Sequence, residues 1–176
     1  MTDTSMSEEA PPTTVSPAFG FVTPEVLASV SGLDFLSGIV EGRFPQPPIF
    51  ALFGFGFGAL ERGRVVFTGT PDQRHYNPLG SVHGGYAATV LDSCMGCAVH
   101  STLEKGRGYT TLEFKVSFLR PMTDRTGPVT AEGRVLAAGR RTATAEGSLT
   151  DAKGRLLAHA TTTCLVFDIG TSDSGG

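Results

Sequence analysis

The sequence predicts an α+β domain in which a curved antiparallel sheet wraps around one long helix. Three observations predict it. From Val82 to His100 nearly every residue is apolar or small (Ala87, Ala88, Val90, Leu91, Cys94, Met95, Gly96, Cys97, Ala98, Val99), and a run that is apolar all round reads as a helix buried on most sides. Four strand-like runs follow it. The first, 109–120, sets Leu112, Phe114, Val116 and Phe118 against Thr111, Glu113, Lys115 and Ser117, the alternation of an antiparallel strand with one buried face. The links between these runs are short and turn-rich, as in Gly139-Arg140-Arg141 and Asp151-Ala-Lys-Gly154, which suits hairpins. A helix with no polar face and a sheet with one apolar face must cover each other.

Length and composition are those of one ordinary globular domain: 176 residues, 40% hydrophobic and 18% charged. A net charge of −3 with no basic stripe gives no general attraction to nucleic acid or acidic membranes. The first residues are polar and acidic without an apolar signal-peptide core, and no run reaches membrane-spanning length. Three cysteines make no secreted disulfide framework. The expected compartment is the cytoplasm. Residues 1–18 and 169–176, rich in Ser, Thr, Pro, Glu, Gly and Asp, read as flexible tails around a domain at 19–168.

In chain order, Thr23 and Pro24 fit a helix N-cap and first helical position. The expected helix runs towards Val40 with Val26, Leu27, Val30, Leu33 and Leu36 facing inward, and Pro45, Pro47 and Pro48 end it. Residues 49–54 form a short helical turn leading into a strand in which Phe55 and Phe57 alternate with Gly56 and Gly58. No Gly-Lys-Ser/Thr follows these glycines, so they are not a phosphate loop. A turn at 61–64, a returning strand at 65–70 and a loop at 71–80 lead to the central helix. After it come a turn at 104–108 and strands at 109–120, 129–138, 142–150 and 155–167.

Two features of the helix point to chemistry. Its start carries Gly84-Gly85, poor helix formers that let another group approach the backbone. The first turn of a helix has unpaired N–H groups and partial positive charge, suited to a carbonyl oxygen or an anion. Between His83 and His100 the only formally charged residue is Asp92, and a lone carboxylate in a buried helix is costly unless it is paired or used. Cys94 and Cys97 form a C-x-x-C, but they lie deep in the apolar run with no further ligands in view, so they read as small core residues. His75 and His159 read as packing residues.

Asn77-Pro-Leu-Gly80, Val82-His-Gly-Gly85 and Asp92, eight residues past Gly84, resemble the PaaI-like branch of the hotdog-fold acyl-CoA thioesterases. The resemblance covers roughly residues 31–167, including Phe118-Leu-Arg-Pro121, Gly139-Arg-Arg-Thr142 and Ala158-His-Ala160. It implies the hotdog fold, hydrolysis of aryl- or medium-chain acyl-CoA, no metal or cofactor, and two subunits joined edge to edge with shared sites, often paired again into a tetramer. It implies that Gly84 N–H polarises the thioester carbonyl and that Asp92 serves as nucleophile or general base. Asn77 orients the acid or the water, although Asn before Pro is also an ordinary turn residue. His83 fixes the loop, and a structural histidine serves as well as a proton carrier. Gly85 serves close packing beside the substrate. A hydroxyl positioning the water falls at Thr111, ten residues before Pro121; strand parity instead puts its neighbour Thr110 with Leu112 on the helix face. Arg120, Arg140 and Arg141 are candidates for the coenzyme A phosphates.

Eight residues of helix separate Gly84 from Asp92 by about 12 Å. One carbonyl therefore cannot meet both in the same chain, and a second, oppositely running copy is required. Two other functions fit the same fold class. A hotdog hydratase or dehydratase needs a histidine–carboxylate pair at one carbon–carbon bond, whereas the motif histidine here precedes Gly84-Gly85. A non-catalytic acyl-CoA binding module gains nothing from a carboxylate beside a carbonyl.

Overall fold

A computed structural model of the chain describes residues 18–170; the expected tails therefore lie almost wholly outside the described residues. Three short helices, α1 (Pro24–Ser29), α2 (Gly32–Val40) and α3 (Pro48–Phe53), precede strands β1 (Phe55–Glu61) and β2 (Arg64–Gly69). A 3-10 turn at Gln73–His75 leads to the central helix α4 (Gly84–His100), followed by β3 (Arg107–Phe118), β4 (Val129–Ala138), β5 (Thr142–Asp151) and β6 (Leu156–Asp168). The six strands form one antiparallel sheet in the order β1-β2-β4-β5-β6-β3.

The concave face of the sheet holds α4. Tyr86, Leu91 and Met95 of the helix are fully buried against Val65, Phe67, Val129 and Leu149. The helix comes close because β4 and β5 carry glycine beneath it: a Cβ on Gly133 would lie 2.7 Å from the Cys94 backbone. Among the described residues no helix is long and apolar enough to cross a membrane.

Three expectations change. The N-terminal helix is two helices, because Val30 is extended and Ser31 restarts the chain as an N-cap, its hydroxyl accepting from Asp34 N–H. Leu36 is buried as expected, but α1 buries nothing and Val26 is exposed. Second, α4 is buried on most sides as expected, but its carboxylate is not. Gly85, Ala88, Thr89, Asp92, Ser93 and Cys97 are half-buried and share one face at helical spacing. The central carboxylate is thus on an open stripe rather than in the core.

Third, the apolar face of β3 is not buried: Leu112, Phe114 and Phe118 are 57%, 37% and 56% exposed. Position explains this, since β3 is an edge strand with β6 on one side and nothing on the other. Its register slips at Leu112, between Thr111 and Glu113, where the Thr162 hydroxyl donates to the Glu113 carbonyl at 2.7 Å. Such a bulge turns every later side chain to the opposite face.

Candidate active site

The start of α4 is built by its own sequence. His83 is the N-cap, and its Nδ1 accepts the Gly85 N–H at 2.8 Å. A Cβ on Gly85 would sit 2.8 Å from that nitrogen, so glycine there is what lets the ring fold over the helix end. With Nδ1 accepting, the neutral ring carries its proton on Nε2; His83 is engaged as a cap. The His83 N–H donates to the His75 carbonyl at 2.7 Å and the Val82 N–H to the Met122 carbonyl at 2.9 Å, which pins the entry to the helix. His83 takes the Gly85 N–H, and its carbonyl takes that of Tyr86. Among the described residues nothing accepts the Gly84 N–H, which stands free at the positive end of the helix.

Asp92 lies two turns further along the open stripe. Its Oδ1 accepts the Thr111 hydroxyl at 3.0 Å. The bulge decides which threonine this is. Uninterrupted alternation would put Thr110 on the side of Leu112, Phe114 and Phe118; with the slip at Leu112, Tyr109 and Thr111 face the helix and Thr110 faces solvent. Alternation alone leaves this choice open; the hydrogen bond makes Thr111 the side chain that meets Asp92.

Asn77 spends its side chain inside its own loop: Oδ1 accepts the Leu79 and Ser81 N–H groups at 2.9 and 3.3 Å, and Nδ2 donates to Ser81 Oγ at 3.0 Å. None of these bonds reaches Asp92. The three arginines divide between the two ends of the sheet. Arg120 follows the end of β3 that pairs Phe118 with Ala158, close to Gly84, where a Cβ would meet the Phe118 ring. Arg140 and Arg141 lie in the β4–β5 turn at the other end, where Arg107 donates to the Arg140 carbonyl. All three side chains are exposed.

Cys94 is buried, its thiol donating to the Val65 carbonyl at 3.2 Å. Burial pushes the Cys97 thiol up to about 12, with the nearby Asp92 charge adding to it, and pushes Cys94 up as well. Both thiols stay protonated and unreactive at neutral pH. Among the described residues no cluster of three or more His, Cys, Asp or Glu is placed to hold a metal. His159 sits beside Glu146 on the solvent side of the sheet.

Two cavities flank the start of α4. One, of about 460 Å³, is lined by Val82, Gly84, Phe118, Arg120 and Met122 among others. The other, of about 380 Å³, is walled by Phe53, His75, Tyr76, Tyr86 and Thr89 beside His83 and Gly85. From the sequence His75 reads only as a packing residue. Its signal was Asp72, three residues earlier: the two form a capping box in which His75 Nδ1 accepts the Asp72 N–H at 3.0 Å. Tyr76 is fixed by Asp124, donating to its Oδ1 at 2.8 Å and accepting its N–H at 2.9 Å.

Comparison with known proteins matches residues 79–158 to the thioesterase superfamily. A protein of Saccharolobus solfataricus named for a proposed esterase activity is 33% identical over 73% of this chain and 83% of its own length. A crystal structure from Ralstonia eutropha, described as that of a phenylacetic acid degradation-related protein and proposed thioesterase, is 30% identical with a TM-score of 0.69, covering 74% of this chain and 98% of that one. A Streptococcus mutans protein solved bound to acetyl-CoA is 28% identical with a TM-score of 0.60, covering 65% and 90%.

Proposed function

This chain belongs to the thioesterase superfamily, and on that premise we propose that it hydrolyses aryl- or medium-chain acyl-CoA at sites shared between two oppositely oriented subunits. Family membership makes it a thioester hydrolase. The observation that carries the shared site is the free Gly84 N–H and the Thr111-held Asp92 on one open stripe of α4, beside an unpaired apolar strand edge. Pairing two copies across β3 covers Leu112, Phe114 and Phe118 and brings Gly84 of one helix opposite Asp92 of the other.

In the reaction, the thioester carbonyl accepts the Gly84 N–H, which holds the negative charge that develops on its oxygen. Asp92 of the partner subunit either takes a proton from a water that bonds to the carbonyl carbon, or attacks that carbon itself to give an anhydride that water then opens. Either way the C–S bond breaks, the sulfur leaves as coenzyme A thiolate and is protonated, and the acid is released. No metal or cofactor enters this scheme. Thr111 orients the carboxylate, His83 holds the helix start, and Asn77 holds the loop that leads to it. The same two-fold arrangement carries the partner subunit's Arg140 and Arg141 towards the Arg120 end, where the three would meet the phosphates of coenzyme A. The cavity containing Arg120 then takes the coenzyme A side, and the aromatic cavity beside Gly85 takes the acyl group.

Mixing two inactive variants tests this. Asp92→Asn keeps the helix start, and Gly84→Val keeps the carboxylate. Each alone releases no thiol from acyl-CoA. Random exchange of subunits in a two-fold dimer restores roughly a quarter of the sites. Thiol release regained on mixing is the expected result. No regain from a pair shown to exchange subunits would place both groups in one chain and refute the shared site.

A further inference from the structure

Phe118, the last residue of β3, belongs neither to the core nor to open solvent. It is 56% exposed, yet the tip of its ring lies against the start of α4. A Cβ on Gly84 would meet Phe118 Cζ at 3.0 Å, Cε1 at 3.2 Å and Cε2 at 3.4 Å, and these are the three nearest atoms. The strand end that carries the ring is anchored: the Leu119 and Arg120 N–H groups both donate to the Leu157 carbonyl, at 2.8 and 3.1 Å.

The register slip at Leu112 puts the ring there. Phe118 pairs with Ala158, which is buried in the core, whereas Ser117 pairs with His159 on the solvent side. Tyr109 and Thr111 face the helix before the slip, so unbroken alternation would continue through 113 and 115 and set Ser117 beside Gly84. A serine is too short to reach the helix start and would leave room for water. One slip therefore lets a hydroxyl meet Asp92 at position 111 and an aromatic ring meet Gly84 at position 118.

The surroundings of Gly84 are otherwise dry. Val82 and Met122 are 7% and 5% exposed and line the same cavity as Phe118, and apart from Arg120 every side chain lining it is apolar. A donor aimed at a developing oxyanion is stronger where water is kept out, because nothing screens the bond or competes for it. We propose that Phe118 is a positioning residue of the hydrolysis: its ring walls the carbonyl site and keeps water off the Gly84 N–H, which is left free for the thioester oxygen. The inference rests on the acyl-CoA reading above and deepens it. Pairing of two copies across β3 closes the outer side of the ring.

Exchange of the Gly84 amide proton with water, followed by NMR on the full chain, tests this apart from catalysis. Phe118→Ala should speed that exchange about ten-fold, and Phe118→Leu, which stays bulky and apolar, by no more than about two-fold. The Gly85 N–H, capped by His83, is the internal control and keeps its rate. In steady-state thiol release, kcat should fall about ten-fold in Phe118→Ala with KM nearly unchanged, and Phe118→Leu should retain most of the rate. A merely structural role would lower the melting temperature and speed exchange at Gly85 as well; a role in holding the substrate would raise KM and leave kcat alone. Either result overturns the proposal, as does an unchanged Gly84 exchange rate in a Phe118→Ala protein that melts normally. Should Phe118→Ala fail to fold, Phe118→Val, better suited to a strand, is held to the same expectations. If the wild-type protein releases no thiol from any acyl-CoA, the hydrolase scheme falls, while the exchange rates still decide whether the ring covers Gly84.

Discussion

Replacing Thr111 with valine removes one hydroxyl and keeps the branched shape that suits a strand. The hydroxyl donates to Asp92 Oδ1 at 3.0 Å, and no other hydrogen bond to that carboxylate is formed by the described residues. A hydrogen bond to a charged group contributes about 1.5–3 kcal/mol. If that bond is what aims Asp92 at the carbonyl, Thr111→Val lowers kcat about ten- to a hundred-fold. The melting temperature should move little, because Thr111 is only half-buried. Thr111→Ser restores the donor and most of the rate. Thr110→Val, on the solvent side of the bulge, is the matched control and leaves kcat unchanged. The assay is steady-state thiol release with saturating acyl-CoA. Full activity in Thr111→Val, or the same loss in Thr110→Val, would refute the reasoning.

Two further outcomes follow from the packing. Gly85→Ala drives a Cβ to within 2.8 Å of His83 Nδ1 and breaks the cap, costing about 1 kcal/mol and lowering the melting temperature by about 3 °C; kcat falls with it, and unchanged melting and kcat would refute the cap. His100 is buried between Phe35 and Tyr109, and burial lowers its pKa from 6.5 to about 4. The unfolded chain therefore binds a proton that the folded chain refuses between those values. This contribution is fully present above 6.5 and is lost as pH falls towards 4, by at most about 3 kcal/mol. Melting scans across pH 7 to 4 should show a shallower acid loss in His100→Phe than in wild type; identical slopes would remove His100 as the cause.

Much of the fold was legible because it is local. The ends of β4, 129–138, follow from the flanking turns and stand as expected. The helix at 84–100 was visible from composition and its glycine start, and Thr23 and Pro24 marked α1 by cap chemistry alone. The helix restart at Ser31 was less visible, since Ser-Gly is as easily tolerated within a weak helix as it is used to begin one.

Of the site, the residue types and their order along α4 came from the chain itself: a glycine start, a histidine just before it and one acid eight residues on. A helix fixes the spacing of its own residues, so their separation followed directly. Which strand meets that acid did not. Strand order is set by long-range pairing, and it sends β3 across α4 to the free edge beside β6, leaving its apolar face open. Thr111 rather than Thr110 faces Asp92 only because the register slips by one residue at Leu112, and a slip of one leaves no mark in an alternating sequence. Asn77 turning inward on Leu79 and Ser81 is a local turn, whereas Arg120 parting from Arg140 and Arg141, and the unpaired polar atoms of His75 and Tyr86, were likewise settled by which surfaces the tertiary fold brought together.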